Sequence, residues 1–188
     1  MGIREGISTM TNVRNDIEAE SVDRQWFIDR LEQLQHSKAT VHVYFRSVTS
    51  QVGAHDLRNR TIDVVETATR RDILDEYDVT ILGEELCLCE ECQKRRWVRE
   101  ARETIETLHA WSDGIARSTG FNKRELHSWF TGADHETISP PEIAIAVHTS
   151  EDILVVFPCV VNGTDLDVAE FLDYLESMTR EKTSEILS

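Results

Sequence analysis

Two apolar runs in the C-terminal third of the chain form its clearest pattern. Ile143–His148 and Ile153–Phe157 are continuous apolar stretches of strand length, separated by a short polar turn. Short apolar runs bounded by turn residues are typical of buried strands. An amphipathic segment follows at helical spacing, and Asp165 is its expected N-cap. The pattern therefore predicts a β-hairpin followed by a helix.

The preceding part of the chain predicts a strand, a helix and a second strand. Thr40–Phe45 is rich in β-branched and aromatic residues, which favours a central strand. Residues 56–74 carry apolar side chains at helical spacing, and Tyr77–Leu82 returns to a strand pattern. This order predicts two parallel strands joined by a right-handed crossover. A further helix is expected before them, over residues 21–36.

These elements together predict an α/β domain. Their order, strand-helix-strand-helices-strand-strand-helix, is thioredoxin-like, with an N-terminal helix and a long helical insert added. We expect the strand that begins at Ile143 to lie antiparallel to its hairpin partner and to the first strand. The Cys-x-x-Cys that this fold carries after its first strand is missing, so its redox chemistry is not expected. We predict a flexible tail over residues 1–20, one domain over residues 21–179 and a frayed tail over residues 180–188.

The insert, over residues 86–131, is predicted to be helical. A long helix is expected from about Cys92 to Gly120, with this buried face: Trp97, Ala101, Ile105, Leu108, Trp111 and Ile115. Asn122 is expected to cap a short helix, with Glu125 as its capping-box partner. The apolar residues of that short helix are Leu126, Trp129 and Phe130. A long helix, a break and a short helix predict a helix-turn-helix, whose second helix could enter a major groove.

Charge changes this picture. The chain has 35 acidic and 20 basic residues and a formal net charge of −15, which is too negative for a general nucleic-acid binder. Cytosol with a high salt concentration explains such a charge best, because the Debye length falls to about 3 Å at molar ionic strength. The chain has no apolar run that could span a membrane and no apolar signal peptide in residues 1–20. We therefore expect a cytoplasmic protein of a halophilic organism.

The insert is the exception to this acidity. Residues 86–131 contain eight basic and seven acidic residues, so this segment is the expected surface if the protein binds DNA. The candidate DNA-contacting residues are Arg95, Arg96, Arg99, Lys123, Arg124 and His127. The alternative is that the bases pair with Glu100, Glu103 and Glu106 along a solvated helix.

A cysteine cluster lies at the start of the same insert. Cys87, Cys89 and Cys92 could supply three ligands to zinc, which needs four. Folding would have to bring in Cys159 or a histidine as the fourth, so no cofactor is predicted and the expected zinc content is below one ion per chain. Redox catalysis is disfavoured, because the two intervening glutamates raise the pKa of these thiols. Unligated thiols are the preferred interpretation.

The chain carries no recognisable catalytic motif. It has no nucleophile elbow, no phosphate-binding loop, no dinucleotide-binding glycine motif and no metalloprotease His-Glu-x-x-His. His42 and His148 fall within predicted strands, where histidines are usually satisfied by sheet neighbours. His127 and His135 have no recognisable metal-binding spacing. These absences favour a non-enzymatic binding protein.

Four short stretches carry a resemblance to a known family. They are Val43–Ser47, Tyr77–Gly83, Trp111–Phe130 and Val156–Cys159. With them the chain, from residue 40 to residue 175, resembles small haloarchaeal proteins catalogued under a helix-turn-helix domain name. The resemblance implies a halophilic archaeon and a transcription regulator, and it brings no catalytic residues. The cysteine cluster is not part of it.

A DNA-binding regulator is therefore the function that we expect. The alternatives are a redox-inactive thioredoxin-like adaptor, which would meet a protein partner through the groove near Pro141, and a zinc or thiol module. An exposed basic surface that includes Lys123 and Arg124 favours DNA, whereas paired and covered bases favour the adaptor. The sequence leaves the DNA site, the partners and the oligomeric state open.

Overall fold

The computed structural model describes residues 25–34, 39–48, 55–111, 114–127, 132, 134–150 and 152–186. Within these ranges the helices are α1 (25–34), α2 (His55–Arg70), α3 (Glu90–Gln93), α4 (Arg96–Ala110) and α5 (Val168–Ile186). The strands are β1 (Thr40–Phe45), β2 (Glu76–Ile81), β3 (Leu86–Cys87), β4 (Ala116–Ser118), β5 (Asn122–His127), β6 (Asp134–Ser139), β7 (Ile143–His148), β8 (Ile153–Phe157), β9 (Cys159–Val161) and β10 (Thr164–Leu166). The predicted N-terminal tail lies outside the described residues. The mixed α/β class is confirmed.

The main sheet has four strands in the order β2-β1-β7-β8. Strand β1 is parallel to β2, with Val43 opposite Val79, and antiparallel to β7, with Val43 opposite Ile145. Strand β8 is antiparallel to β7 and completes the hairpin, with Val147 opposite Val155. The predicted mixed sheet is therefore confirmed, and the hairpin is one half of it.

Each face of this sheet buries a separate hydrophobic cluster. Alternate side chains of β1, such as Val41, Val43 and Phe45, pack on one face with apolar residues of α1, α2 and α5. Tyr44 points to the other face, where it belongs to a cluster with residues of α4, β3 and β6. This alternation follows from the two-residue period of a strand. The insert therefore covers one face of the sheet and the remaining helices cover the other.

Helix α5 begins with a capping box two residues later than the sequence indicates. The backbone N–H of Glu170 donates to Asp167 Oδ1 at 3.0 Å, and the Asp167 N–H donates to Glu170 Oε2 at 2.9 Å. Asp165 lies in β10 instead, so its assignment as the N-cap is wrong. The helix also continues to Ile186, through most of the segment that we expected to fray.

The predicted long helix is shorter, and its buried stripe starts one residue later. Helix α4 spans Arg96–Ala110, and a separate four-residue helix, α3, precedes it. The buried side chains of α4 are Val98, Ile105 and Leu108, whereas Trp97 is 57% exposed. A one-residue step turns a helix by about 100°, so choosing Trp97 over Val98 misplaced the start of the stripe.

The predicted short helix is a strand. Asn122–His127 forms β5, which pairs antiparallel with β6 and places Glu125 opposite Glu136. The expected capping box of Asn122 and Glu125 is therefore wrong, and so is the entirely helical insert. The predicted Trp129 and Phe130 positions lie outside the described residues. Because Asn122–His127 forms a strand, these residues cannot belong to the recognition helix that the sequence predicts.

Two small sheets complete the fold, in the orders β3-β6-β5 and β10-β9-β4. Gly120 links them between β4 and β5, with a φ of +80°. A Cβ added there would lie 2.8 Å from Pro141 Cβ, so only glycine fits this close approach without a shift. The backbone at Gly120 thus lies against Pro141, the residue near which the adaptor hypothesis expects a groove.

Candidate nucleic-acid interface and cysteine cluster

The six candidate DNA-contacting residues all have exposed side chains, on two elements. Arg95 is the N-cap of α4, and Arg96 and Arg99 lie in the first turn and just beyond it. Lys123, Arg124 and His127 lie on β5, every residue of which is exposed. The structure thus places the candidates at a helix start and on an edge strand.

Half of these side chains have acidic partners. Arg96 Nε lies 2.6 Å from Glu100 Oε1, and Lys123 Nζ lies 3.9 Å from Glu136 Oε1. His127 Nδ1 lies 2.7 Å from an oxygen of Asp134. The Glu100 hydrogen bond raises the pKa of Arg96. The expectation that the bases pair along the helix is therefore confirmed for Arg96.

The other three candidates are arginines with no acidic partner in the part of the chain that the structure describes. Among the described residues, Arg95, Arg99 and Arg124 form no side-chain ion pair within 4.0 Å, the limit that the pairs above satisfy. An exposed guanidinium without a carboxylate can bind an external phosphate without first breaking an ion pair. These three side chains are the strongest candidates for external contacts.

Helices α3 and α4 flank a two-residue turn of Lys94 and Arg95. The turn is closed by the Arg95 N–H, which donates to the Cys92 carbonyl at 3.1 Å. Exposed Trp97 lies between the exposed Arg95 and Arg99 in sequence. Within the described residues, helix, turn and helix occur in succession at α3, the Lys94–Arg95 turn and α4.

The cysteine cluster lies at the end of β3, beside β6. Cys87 is directly opposite Thr137 in the antiparallel register, and the Leu88 N–H donates to the Glu136 carbonyl at 2.8 Å. In an antiparallel pair, each step forward on one strand is a step back on the other. Two steps from the pair of Cys87 and Thr137 therefore bring Cys89 opposite His135. The thiols of Cys87 and Cys89 and the His135 ring have ligand atoms within 4.8 Å of one another.

Cys92 joins this group through the first turn of α3. Its thiol hydrogen-bonds those of Cys89 and Cys87, and these contacts raise the pKa of Cys92 to about 11. The backbone N–H of Cys92 faces the Cys89 sulfur and is the main cause of the lowered pKa of Cys89, with added hydrogen bonds from the Cys87 and Cys92 thiols. Cys159 is fully buried on β9 and is not in this group.

The sequence did not indicate His135 as a neighbour of the cysteines, because the two segments are far apart in the chain. One signal was available. Cys87 and Cys89 are separated by Leu88, and His135 and Thr137 are separated by Glu136. In a strand, residues two apart point to the same face, so each pair would share one face of a sheet. Pairing of these strands could not be predicted while Asn122–His127 was interpreted as a helix.

A polar cleft of about 350 Å³ lies between the main sheet and α4. Tyr44 and His148 line it from the sheet, and Glu100 and Glu103 line it from the helix. Burial raises the pKa of the Tyr44 hydroxyl, and burial together with His42 lowers the pKa of His148. The His148 Nε2 atom is buried without a hydrogen-bond partner among the described residues. The His42 and His148 rings are 4.6 Å apart. The expectation that both histidines are satisfied by sheet neighbours is wrong for His148 within the described residues.

No helix among the described residues is long and apolar enough to cross a membrane. Comparison with curated proteins and with solved structures gives no match. One family model matches residues 33–180, a range that contains the main sheet, the cysteine cluster and the basic start of α4. Its description is a helix-turn-helix domain. Because the match extends over most of the chain, this protein belongs to that helix-turn-helix domain family.

Proposed function

We propose that this protein is a DNA-binding transcription regulator of a halophilic archaeon and that the start of α4 contacts the DNA. Membership of a helix-turn-helix domain family supports the class of function. The observation that carries the location is the pair of exposed arginines, Arg95 and Arg99, which lie four residues apart at the start of α4. Neither guanidinium has an acidic partner among the described residues.

The position of these side chains suits DNA contact. In helix-turn-helix proteins the N-terminal residues of the second helix contact base edges in the major groove. Here the residues at that position follow the Lys94–Arg95 turn between α3 and α4. Arg124, on β5, is a further cation free of an acidic partner within the described part of the chain. Lys123 and His127 are weaker candidates, because Glu136 and Asp134 already lie beside them.

The net charge of −15 sets the conditions for binding. In dilute buffer this charge repels DNA over a long range, which opposes association. Near molar potassium chloride the Debye length is about 3 Å, so only groups in direct contact interact strongly. Exposed arginines such as Arg95 and Arg99 can then act without interference from distant carboxylates. This is why we propose a halophilic setting for the regulator.

The test is selection of binding sites from randomised duplex DNA in about 1 M potassium chloride. The wild-type chain should enrich a sequence, and fluorescence anisotropy with that duplex should give its affinity and salt slope. The Arg95→Ala/Arg99→Ala variant should bind more weakly and should flatten the slope by about two contact units.

The matched control removes two exposed arginines on the other face of the sheet, with the Arg70→Ala/Arg180→Ala variant. These residues lie on α2 and α5 and pair with Glu66 and Glu176. The control changes the net charge by the same amount as the test variant. Equal affinities and slopes for the wild type and the α4 variant, with both folded, would remove α4 from the DNA surface. Failure to enrich any sequence would count against DNA binding itself.

Strand β2 favours a second candidate function, a protein-interaction adaptor. It is an edge strand of the main sheet, and Val79 and Ile81 are 40% and 42% exposed on it. An edge strand offers unpaired backbone groups to a partner strand. Co-purification of one protein at high salt, lost in the Val79→Lys variant but kept in Arg95→Ala/Arg99→Ala, would support the adaptor.

A further inference from the structure

We propose that Cys87, Cys89, Cys92 and His135 form a structural zinc site. The sequence offered only three closely spaced ligands, and the fold adds an imidazole from β6. Of the two fourth ligands that folding could bring in, Cys159 or a histidine, the fold places a histidine, His135, beside Cys87 and Cys89. The proposal does not rest on DNA binding, because every observation behind it comes from the geometry of these four side chains.

The backbone explains how four residues from two segments meet. Cys87 and Cys89 are two residues apart on an extended segment, so their side chains point to the same face. His135 reaches that face from β6, two residues before Thr137, the pairing partner of Cys87. Cys92 is one helical turn after Cys89, which brings its thiol back over the same point.

The spacing of the ligand atoms suits a tetrahedral ion. Ligands at zinc bond lengths of about 2.0–2.3 Å in a tetrahedron lie roughly 3.5–3.8 Å from one another. The sulfurs of Cys87 and Cys89 and a ring nitrogen of His135 already lie within 4.8 Å of one another. The Cys92 thiol hydrogen-bonds both other thiols, but Cys92 is not among the three residues whose ligand atoms all lie within 4.8 Å of one another. Its sulfur would therefore have to move inward to complete the tetrahedron.

The donor set selects the metal and the role. Three sulfurs and one imidazole form one of the common ligand sets of structural zinc, and soft thiolates disfavour magnesium and calcium. Four protein ligands fill the tetrahedron and leave no open position for water or substrate. Binding would release the thiol protons to solvent, and the three thiolates would more than neutralise the charge of the ion.

The ion would connect three elements of the fold. Cys87 ends β3, Cys92 lies in α3, and His135 lies in β6. Arg95 follows Cys92 by three residues, and its N–H bonds the Cys92 carbonyl. Zinc would therefore fix the turn between α3 and α4 relative to the small sheet.

The experiment measures zinc content and cobalt spectra of the purified full-length chain. We expect one zinc ion per chain after purification under reducing conditions. Cobalt in its place should give the intense visible bands of a tetrahedral site and thiolate charge-transfer bands. The variants Cys89→Ser and His135→Gln should each lower zinc affinity by more than the roughly 10–100-fold that loss of an outer-shell partner costs.

Matched controls separate ligation from folding. His127→Gln, on the neighbouring strand, and Cys159→Ala, in the core, should keep full zinc content. His135→Cys should also keep the metal, and its cobalt form should gain charge-transfer intensity from a fourth thiolate. This gain requires position 135 to touch the ion, and a general loss of folding cannot produce it.

Three results would overturn the proposal. The wild-type chain could fail to take up zinc even when it is supplied in excess. The His135→Gln variant could bind zinc as tightly as the wild type, or His135→Cys could leave the cobalt charge-transfer intensity unchanged. Because no readout uses DNA, failure here would leave the proposed regulator untouched, and failure to bind DNA would leave the zinc site untouched.

Discussion

Replacement of Trp97 by alanine distinguishes the observed orientation of α4 from the one that the sequence predicts. The hydrophobic pattern assigned Trp97 to the buried face, whereas the structure leaves it 57% exposed. Ile105 is the matched comparison, because both interpretations bury it and its exposure is 0%. The two orientations therefore predict different losses of stability for one variant and the same loss for the other.

The magnitudes follow from burial. A fully buried tryptophan costs about 3–5 kcal/mol when truncated to alanine, and a buried isoleucine about 2–5 kcal/mol. Less than half of the Trp97 side chain is removed from solvent, so the loss of stability from its truncation falls to about 1–2 kcal/mol. Alanine also has a better helix propensity, which returns up to roughly 0.7 kcal/mol. We expect Trp97→Ala to cost about 1 kcal/mol and Ile105→Ala at least about 2 kcal/mol.

Urea denaturation in about 1 M potassium chloride measures these losses, with the slope checked for two-state behaviour. Iodide quenching of fluorescence gives an independent reading, since Trp97→Phe should remove a readily quenched component of the emission. If Trp97→Ala destabilised the protein as much as Ile105→Ala, Trp97 would belong to the buried stripe of α4, as the sequence indicated.

Three further outcomes test other parts of the fold. Gly120→Ala should lower the unfolding free energy by about 2–5 kcal/mol, because the backbone φ is positive and the new Cβ meets a proline side chain. Gly163→Ala should cost less, because the space around Gly163 is open. Equal losses of the two variants in urea denaturation would contradict this. Asp167→Ala should cost about 1 kcal/mol and Asp165→Ala under about 0.5 kcal/mol, and the reverse order would restore the original cap assignment. The pKa of His148 should be below 6.5 when measured by NMR. Because the unfolded chain then binds a proton more readily than the folded one, the unfolding free energy should fall as the pH drops through 6.5 towards the folded pKa. The His148→Gln variant should remove that pH dependence.

The main sheet could be predicted because its strands carry their own signals. The apolar runs of β7 and β8 and the β-branched residues of β1 favour strands locally, and their two-sided burial explains why the runs are continuous. The strand order then follows from chain order and the handedness of the crossover. Local preference and final structure agree in this part of the chain.

The insert could not be predicted in the same way. Every residue of Asn122–His127 is exposed, so the strand has no apolar alternation to reveal it. Its Asn, Lys, Arg and Glu residues have weak strand propensity, and Asn122 with Glu125 matches a capping box by chance. Backbone pairing with β6 decides the outcome instead. That pairing depends on residues that are distant in the sequence, which a local pattern cannot include.

The strands of the small β3-β6-β5 sheet add few residues of their own to the apolar cluster between the main sheet and α4. Within its strands the buried apolar residues are Leu86 and Ile138, while β5 is exposed along its whole length. Small units with so little apolar burial usually need a staple such as a metal ion. The proposed zinc ligands occupy one face of this sheet and reach into α3, so a bound ion would supply what apolar burial does not. The same connection would fix the Lys94–Arg95 turn, which explains why a metal site and a basic surface would lie next to each other in this fold.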